Sequence, residues 1–305
     1  MTGFNLNKVK RHFTAVLAEQ FPQREAEQLM RILLEDLFGI DLTRQLMEPK
    51  LRIDELQYAQ SENAVKHLLE GVPVQYVTGK AYFDGLLFHV DESVLIPRPE
   101  TEELVQKVAE ELTSKAAEGA LSDRPLRIWD IGTGSGCIAI ALAKRFPQAE
   151  VKAFDVSEQA LEVARSNAEH NDVKVDFICD DVLNPKSELW NQPVDMVVSN
   201  PPYIRESEKA IMERNVLDHE PHAALFVPDD NPLLFYRQIF NLAKTHLTAQ
   251  GSIWFEINEA LGEEMLLLAQ EKSFRANLYQ DYVGKPRYLQ TFLETMPSSV
   301  NRLTT

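Results

Sequence analysis

Asp130-Ile131-Gly132-Thr133-Gly134-Ser135-Gly136 leaves a short apolar run, Arg127 to Ile131, and enters an apolar helical pattern that begins near Cys137. Glycines at this spacing let the backbone approach a ligand with no Cβ in the way, and the helix start beyond them presents free N–H groups. A strand, a glycine turn and a helix in that order open a parallel sheet, and the chain beyond continues the alternation. Its patterns predict strands at Val151 to Asp155, Lys174 to Ile178, Val194 to Ser199 and Ser252 to Ile257. Helices are predicted at Cys137 to Phe146, Glu158 to His170, Leu233 to Leu247 and Leu261 to Lys272, with closing strands near Asn277 to Tyr282 and Arg287 to Leu293. The expected fold is α/β, a Rossmann-like sheet with helices on both faces.

Upstream of the glycine stretch the pattern differs. Leu6, Val9, Phe13, Val16 and Leu17, then Leu29, Ile32, Leu33 and Leu37, recur at helical spacing, and Gly39 and Gly71 read as helix stops. From Val72 to Ile96 short alternating runs, Phe83 to Gly85 and Leu86 to Val90, are punctuated by Pro73, Gly79 and Gly85, which predicts a β-hairpin. Ile96-Pro97-Arg98-Pro99-Glu100-Thr101-Glu102 then opens a helix, with Thr101 or a neighbour as cap and acidic residues in the first turn. Polar residues 113–124 are expected to form a loop. The predicted division is a helical N-terminal domain for substrate docking over 1–72, a hairpin linker over 73–96, the sheet domain over 97–295 and a flexible tail over 296–305.

Composition narrows the function classes. The 305 residues are 44% hydrophobic and 26% charged, an ordinary globular balance. Forty-seven acidic against 31 basic residues give a formal charge of -16, which repels a phosphate backbone and favours a protein partner over free nucleic acid. No uncharged apolar run approaches the roughly 18 residues that span a bilayer. The polar opening from Met1 to Arg11 lacks the apolar core of a signal peptide, so a cytoplasmic protein away from membranes is expected. Cys137 and Cys179, the two cysteines, fall at a helix start and a strand end and predict no disulfide framework.

The glycine stretch also selects a ligand. Its spacing is Gly-x-Gly-x-Gly, and Cys137 stands where a dinucleotide fingerprint has its third glycine. Such a loop suits the methionine carboxylate and ribose of S-adenosylmethionine, which has no pyrophosphate to cradle. Asp155 ends the second strand 19 residues after Gly136, where a carboxylate can accept both ribose hydroxyls. A plain tight turn is the competing reading of the glycines alone. Asp180 and Asp181 follow the third strand, where a carboxylate can accept from the adenine amino group or simply face water. For Cys137 the alternatives are a reactive thiol at a helix start and a small buried apolar residue.

Asn200-Pro201-Pro202-Tyr203 leaves the fourth strand on the sheet edge where doubly wound folds bind ligands. By average residue usage these four letters arise by chance in such a chain roughly once in a thousand times. A rigid turn is the bland alternative. The chemistry explains the choice better. An amide or aromatic amino nitrogen has its lone pair delocalised and must be reoriented rather than deprotonated. The Asn200 side-chain oxygen and the Pro201 carbonyl can accept its two N–H bonds and align the lone pair with a methyl group for in-line displacement from sulfur. Proline adds no competing donor, Tyr203 can stack on the planar group, and no metal or strong base is required.

These residues resemble the protein-(glutamine) methyltransferases that modify the Gly-Gly-Gln loop of class 1 peptide chain release factors. The resemblance extends to Val94 to Glu102, to the Gly71-x-Pro73 turn with Tyr76 and Gly79, and to Leu233-Leu234-Phe235-Tyr236. It implies a class I S-adenosylmethionine-dependent methyltransferase sheet behind a small helical N-terminal domain. Gly132, Thr133, Gly134, Ser135, Gly136 and Asp155 would bind the cofactor, with Asp181, Val182 and Asn200 completing its contacts. Asn200, Pro201, Pro202 and Tyr203 would hold the target glutamine, Asn200, Pro201 and Tyr203 as the catalytic residues. The chain departs from some relatives in placing Val182 or Leu183 where they have a tryptophan against the cofactor. The resemblance assigns no separate roles to Arg98 and Glu100.

Other candidates are weaker. Asp218-His219-Glu220-Pro221-His222 offers two histidines and two acids, but Pro221 breaks a helix there and no further ligand pair follows. A loop flanking the substrate cleft is expected instead, and no metal. Glu256 ends an apolar strand, where it can line the cleft or be an ordinary strand-end acid. Three rivals to release-factor methylation stay open: a glutamine methyltransferase of a ribosomal protein, a DNA adenine methyltransferase, and a non-catalytic binding module. A monomer that clamps its protein substrate between domains is the expected form.

Overall fold

The computed structural model describes residues 3–118, 124–212 and 214–294, apart from the side chains of 187 and 189. Two compact units divide the chain, one up to Ala81 with residues 89–96 and 211–221, the other containing the large sheet.

The first unit is helical. Asn5 caps α1 (Leu6–Leu17) by accepting from Lys8 N, and Leu6, Val9, Phe13 and Leu17 share its buried face. The second helix, α2 (Gln23–Phe38), follows Pro22 and stops at Gly39, whose φ of 63° is left-handed. It buries Ala26, Met30, Leu33 and Leu34. The exposed helix α3 (Leu42–Met47) precedes α4 (Glu55–Leu69), which opens with a capping box between Asp54 and Gln57. The short α5 (Val74–Thr78) lies between Pro73 and Gly79. One apolar core joins α1, α2 and α4 through Phe13, Met30, Leu33, Val65 and Leu68. Two tiny strands, β1 (Phe4–Asn5) and β2 (Arg52–Ile53), pair beside it.

The hairpin of β3 (Lys80–Phe83) and β4 (Leu86–His89) turns at Asp84 and Gly85, both left-handed at φ 51° and 74°. This is the two-residue turn that matches strand twist. The run expected as strand from Phe83 to Gly85 is thus mostly the turn itself.

In the second unit α6 (Pro99–Ala117) begins with proline at its first position, where no N–H is needed, and Arg98 is its cap residue. Thr101 is therefore not the cap but a buried residue of the first turn. The helix also runs through to Ala117, so part of the expected 113–124 loop is helical, while residues 119–123 lie outside the described residues, as does the tail. Then follow β5 (Arg127–Ile131), α7 (Cys137–Arg145), β6 (Glu150–Asp155), α8 (Glu158–His170), β7 (Asp176–Cys179) and β8 (Val194–Ser199). A small parallel pair, β9 (Ile204–Arg205) with β10 (Phe226–Val227), brackets α9 (Arg214–His219) of the first unit. The expected loop at Asp218 and His219 is thus the end of a helix. The chain closes with α10 (Leu234–His246), β11 (Leu247–Glu256), α11 (Gly262–Glu271), β12 (Phe274–Gln280) and β13 (Pro286–Leu293).

The large sheet has seven strands in the order β12-β13-β11-β8-β5-β6-β7, with β13 antiparallel to both neighbours and the other contacts parallel. Strand alternation sorts the core by face. Ile128, Met196, Val198 and Trp254 pack under α6 and α7 with Leu104, Val108 and Ile138. Trp129, Val197, Ile253 and Phe255 pack under α10 and α11 with Ile239, Phe240, Met265 and Leu268. The expected α/β fold, with helices on both faces, is the observed one.

Candidate functional site

Strand order reverses between β5 and β8: the chain runs outward from β5 through β6 to β7, then crosses back to β8 on the other side of β5. In open α/β sheets the crevice at such a point, beyond the carboxyl ends of the strands, is where ligands bind. Both sequence motifs start there: β5 ends at Ile131 before the glycine loop, and β8 ends at Ser199 before Asn200. Ser199 Oγ donates to the Ile131 carbonyl at 2.6 Å and ties the two strand ends together.

The loop glycines divide into two kinds. Gly132 and Gly134 have φ of 75° and 53°, and a Cβ on either meets no atom within 4 Å, so both border open space. At Gly136 a Cβ would come within 2.9 Å of Ile140 and 3.1 Å of Ala164, because α7 and α8 approach each other over it. Phe154 accepts from the N–H groups of Gly132 and Thr133, and Asp155 Oδ2 accepts from Gly134 N at 2.8 Å. Asp155 Oδ1 takes Ser157 N at 3.0 Å, and burial raises this carboxyl above its ordinary range against those hydrogen bonds. Thr133 and Ser135 are buried under the loop; the Ser135 carbonyl accepts from Asn167 Nδ2. Burial pushes the Cys137 thiol up to about 12, so it is the small buried residue, not the reactive thiol.

Beyond β7 the two aspartates part company. Asp180 is buried and accepts from Trp190 Nε1 at 2.7 Å and Lys186 N at 3.0 Å, a structural role. Asp181 is half-exposed and holds its own loop through Leu183 N and Asn184 Nδ2. Val182 packs half-buried beside the core of Trp129, Phe154 and Trp190. The tryptophan after this strand, Trp190, lies in that core, stacked on Phe154 at 3.8 Å.

The residues after β8 meet a buried polar network. Asn200 Nδ2 donates to Thr101 Oγ1 at 3.1 Å, and Thr101 Oγ1 donates to Glu256 Oε2 at 2.7 Å. Tyr203 OH donates to Glu256 Oε1 at 3.0 Å, and Asn258 Nδ2 donates to the Tyr203 carbonyl at 3.3 Å. Tyr236 OH holds the Glu256 carbonyl at 2.9 Å. Glu256, 1% exposed, is therefore no ordinary strand-end acid. Burial raises its carboxyl, while the two hydroxyls and Arg287 act in the opposite direction. Burial also holds the Tyr203 phenol far above its usual range, so it stays a donor. Pro201 is buried, Pro202 half-buried. A hydrophobic strand ending in Glu, together with a Thr in the first turn of a proline-started helix, is the signal the sequence offers for this network.

Residues 110–222 match the methyltransferase small domain family and residues 9–79 the PrmC N-terminal domain family. The release factor glutamine methyltransferase of Flavobacterium psychrophilum is 42% identical over 93% of this chain and 98% of its own. The chain belongs to the release factor glutamine methyltransferase family. The enzyme of that name from Bacteroides thetaiotaomicron is 39% identical over 93% of this chain and 99% of its own. A methyltransferase structure from Pyrococcus furiosus, 18% identical, shares the fold at a TM-score of 0.50 over 77% of this chain and 100% of that one. The resemblance drawn from the motifs thus holds along nearly the whole chain. Among the described residues no helix is long and apolar enough to cross a membrane.

In a release factor glutamine methyltransferase the methyl donor is S-adenosylmethionine, and the residues at the crevice fit it. Open space over Gly132 and Gly134 admits a ligand against bare backbone, and Asp155 offers a half-buried acceptor beside it.

Asp130, beneath the loop, is fully buried. Its Oδ2 accepts from Thr133 Oγ1 at 2.6 Å and Ala139 N at 3.1 Å, while Oδ1 meets no partner. Burial pushes this carboxyl up to about 7 from an ordinary 3.8, with the Asp155 charge adding to the effect. Between those values the folded state holds a proton that the unfolded chain releases. The contribution of Asp130 to stability therefore falls as pH rises from about 4 to about 7, by up to about 4 kcal/mol, and is flat above. Asp130→Asn copies the neutral acid and is expected to remove most of that slope in urea unfolding at about pH 5 and about pH 8. Equal slopes in the two proteins would assign the pH dependence elsewhere.

Proposed function

We propose that this chain methylates the side-chain amide nitrogen of the glutamine in the Gly-Gly-Gln loop of class 1 peptide chain release factors. The observation that carries the reading is the Asn200 side chain, held at the switch point beside the glycine loop by the buried Thr101 and Glu256. The names of the close relatives point to the same substrate. Gly132, Thr133, Gly134, Ser135, Gly136 and Asp155 cradle S-adenosylmethionine, with Asp181, Val182 and Asn200 at its edge. Bound there, the cofactor supplies an electrophilic methyl group on a sulfonium that departs as a neutral thioether.

The chain's own residues supply positioning. Asn200 Oδ1 and the Pro201 carbonyl accept the two N–H bonds of the glutamine amide and turn its lone pair toward the methyl group. The same acceptors stabilise the positive charge that develops on nitrogen as the new bond forms. The Tyr203 ring, its hydroxyl fixed on Glu256 and its carbonyl on Asn258, lies along the planar amide. Pro202 stiffens the turn, and no general base is needed because the proton leaves an already alkylated, far more acidic nitrogen.

The N-terminal helical part, residues 1–72, docks the protein substrate, and the exposed Leu42, Leu46 and Met47 of α3 offer it apolar contact. The enzyme works in the cytoplasm as a monomer and leaves free nucleic acid alone, in keeping with its charge of -16. The test offers labelled S-adenosylmethionine with a release factor, with ribosomes lacking the modification, and with unmethylated DNA. Label is expected on the release-factor glutamine, from a protein that light scattering sizes as a monomer. Label confined to ribosomal protein or DNA would replace the substrate, and no transfer to any of the three would leave a binding module.

A further inference from the structure

We propose that Thr101 and Glu256 are positioning residues that decide which end of the Asn200 side-chain amide faces the substrate. The inference rests on the reading that Asn200 accepts an N–H from the glutamine. An asparagine amide has a donor end and an acceptor end of nearly the same shape, and only its neighbours choose between them. If Nδ2 faced the substrate, it would meet the N–H bonds of the glutamine donor to donor, and alignment of the lone pair would fail.

The buried network removes that choice. A hydroxyl has one proton, and Thr101 places its own on Glu256 Oε2 at 2.7 Å. The other Glu256 oxygen, Oε1, receives the Tyr203 proton at 3.0 Å, so each hydroxyl has already given its proton to the carboxyl group. What Thr101 presents to Asn200 at 3.1 Å is consequently a lone pair, which only Nδ2 can satisfy. Oδ1 is left as the acceptor for the substrate. Thr101 is 3% exposed and Glu256 1% exposed, so water cannot substitute for either partner. Glu256 itself has little freedom to turn, because Tyr236 grips its carbonyl and β11 is paired on both sides. The same carboxyl group sets both substrate-facing residues, Asn200 through Thr101 and Tyr203 directly, from three elements distant in sequence.

Thr101→Val keeps the shape and removes the lone pair; Thr101→Ser keeps the lone pair and loses a methyl. In single-turnover methyl transfer to the release factor, Thr101→Val is expected to slow transfer about 10–100-fold with KM and cofactor Kd within about threefold, and Thr101→Ser to stay within about threefold of the parent. Because Thr101 acts through Asn200, Thr101→Val in an Asn200→Ala background is expected to cost less than about twofold more. An undiminished penalty there, or a fully active Thr101→Val, overturns the proposal. Neutron diffraction from deuterated crystals of the unaltered protein supplies a readout that needs neither variant nor substrate. Deuterium on Asn200 Nδ2 directed at Thr101 is expected, and Oδ1 in that position overturns the proposal even if every variant misfolds. Should the unaltered enzyme leave release-factor glutamine unlabelled, the proposed function falls while the diffraction result still decides the orientation.

Discussion

Asn200→Ala is expected to lower the rate of glutamine methylation by about 10²–10³-fold, which is about 3–4 kcal/mol of transition-state stabilisation. In the proposed mechanism the side chain makes one hydrogen bond to the reacting group in the ground state, and that bond strengthens as the amide nitrogen loses its delocalised pair and becomes cationic. Truncation removes the acceptor, leaves the amide free to rotate in the crevice, and leaves Thr101 without its donor. Most of the loss is therefore expected in turnover. The KM for the release factor and the Kd for cofactor should move by no more than about fivefold, since docking and the glycine loop are untouched. Calorimetric binding of cofactor alongside single-turnover transfer separates the two. A variant whose turnover stays within about threefold of the parent would remove Asn200 from the reacting centre and with it the proposed mechanism.

Trp190→Ala should destabilise the sheet unit by about 3–5 kcal/mol, the largest effect on folding expected of any single side chain near the site. Its ring stacks on Phe154 at 3.8 Å with planes 13° apart and meets Trp129 edge-on at 5.2 Å. Its Nε1 donates to the buried Asp180 at 2.7 Å. Alanine leaves a cavity and weakens the pairing of a buried carboxylate, and the two costs combine. Trp190→Phe keeps the ring stack and loses the donor, so a smaller cost of about 1–3 kcal/mol is expected for it in urea unfolding. Cofactor affinity is expected to fall as well, because Asp180 N donates to the carbonyl of Asp155, the proposed ribose acceptor. A cost below about 1 kcal/mol for alanine would mean that the ring is not the keystone of this core.

The main elements were legible because two local signals coincided. Short apolar runs located the strands of the large sheet, and their alternation with helices implied its parallel part. What escaped had non-local causes. Thr101 looks like a cap because threonine favours caps, but Pro99 already supplies the first helical position, and burial under the Asn200 turn decides its role. Glu256 looks like any acid at a strand end, and only the arrival of Thr101, 155 positions earlier, makes it a hub. Trp190 was invisible as a core residue because the segment around it has no periodicity; its position follows from Asp180 needing a donor. In the same way α6 outran its expected end because Lys115 reaches back to Glu111, in an i,i+4 pair beside Ser252 and Trp254.

The spread of the Thr101, Asn200 and Glu256 network along the chain sets when the proposed activity can arise during synthesis. Thr101, Asn200 and Glu256 are brought together only after β11 has inserted beside β8, so a growing polypeptide can close the glycine loop long before it can orient an amide. Contacts of such sequence separation form late and slowly relative to local helices. Cofactor binding and methyl transfer should therefore appear at different chain lengths on the ribosome, the second only once the residues through Asn258 have left the exit tunnel.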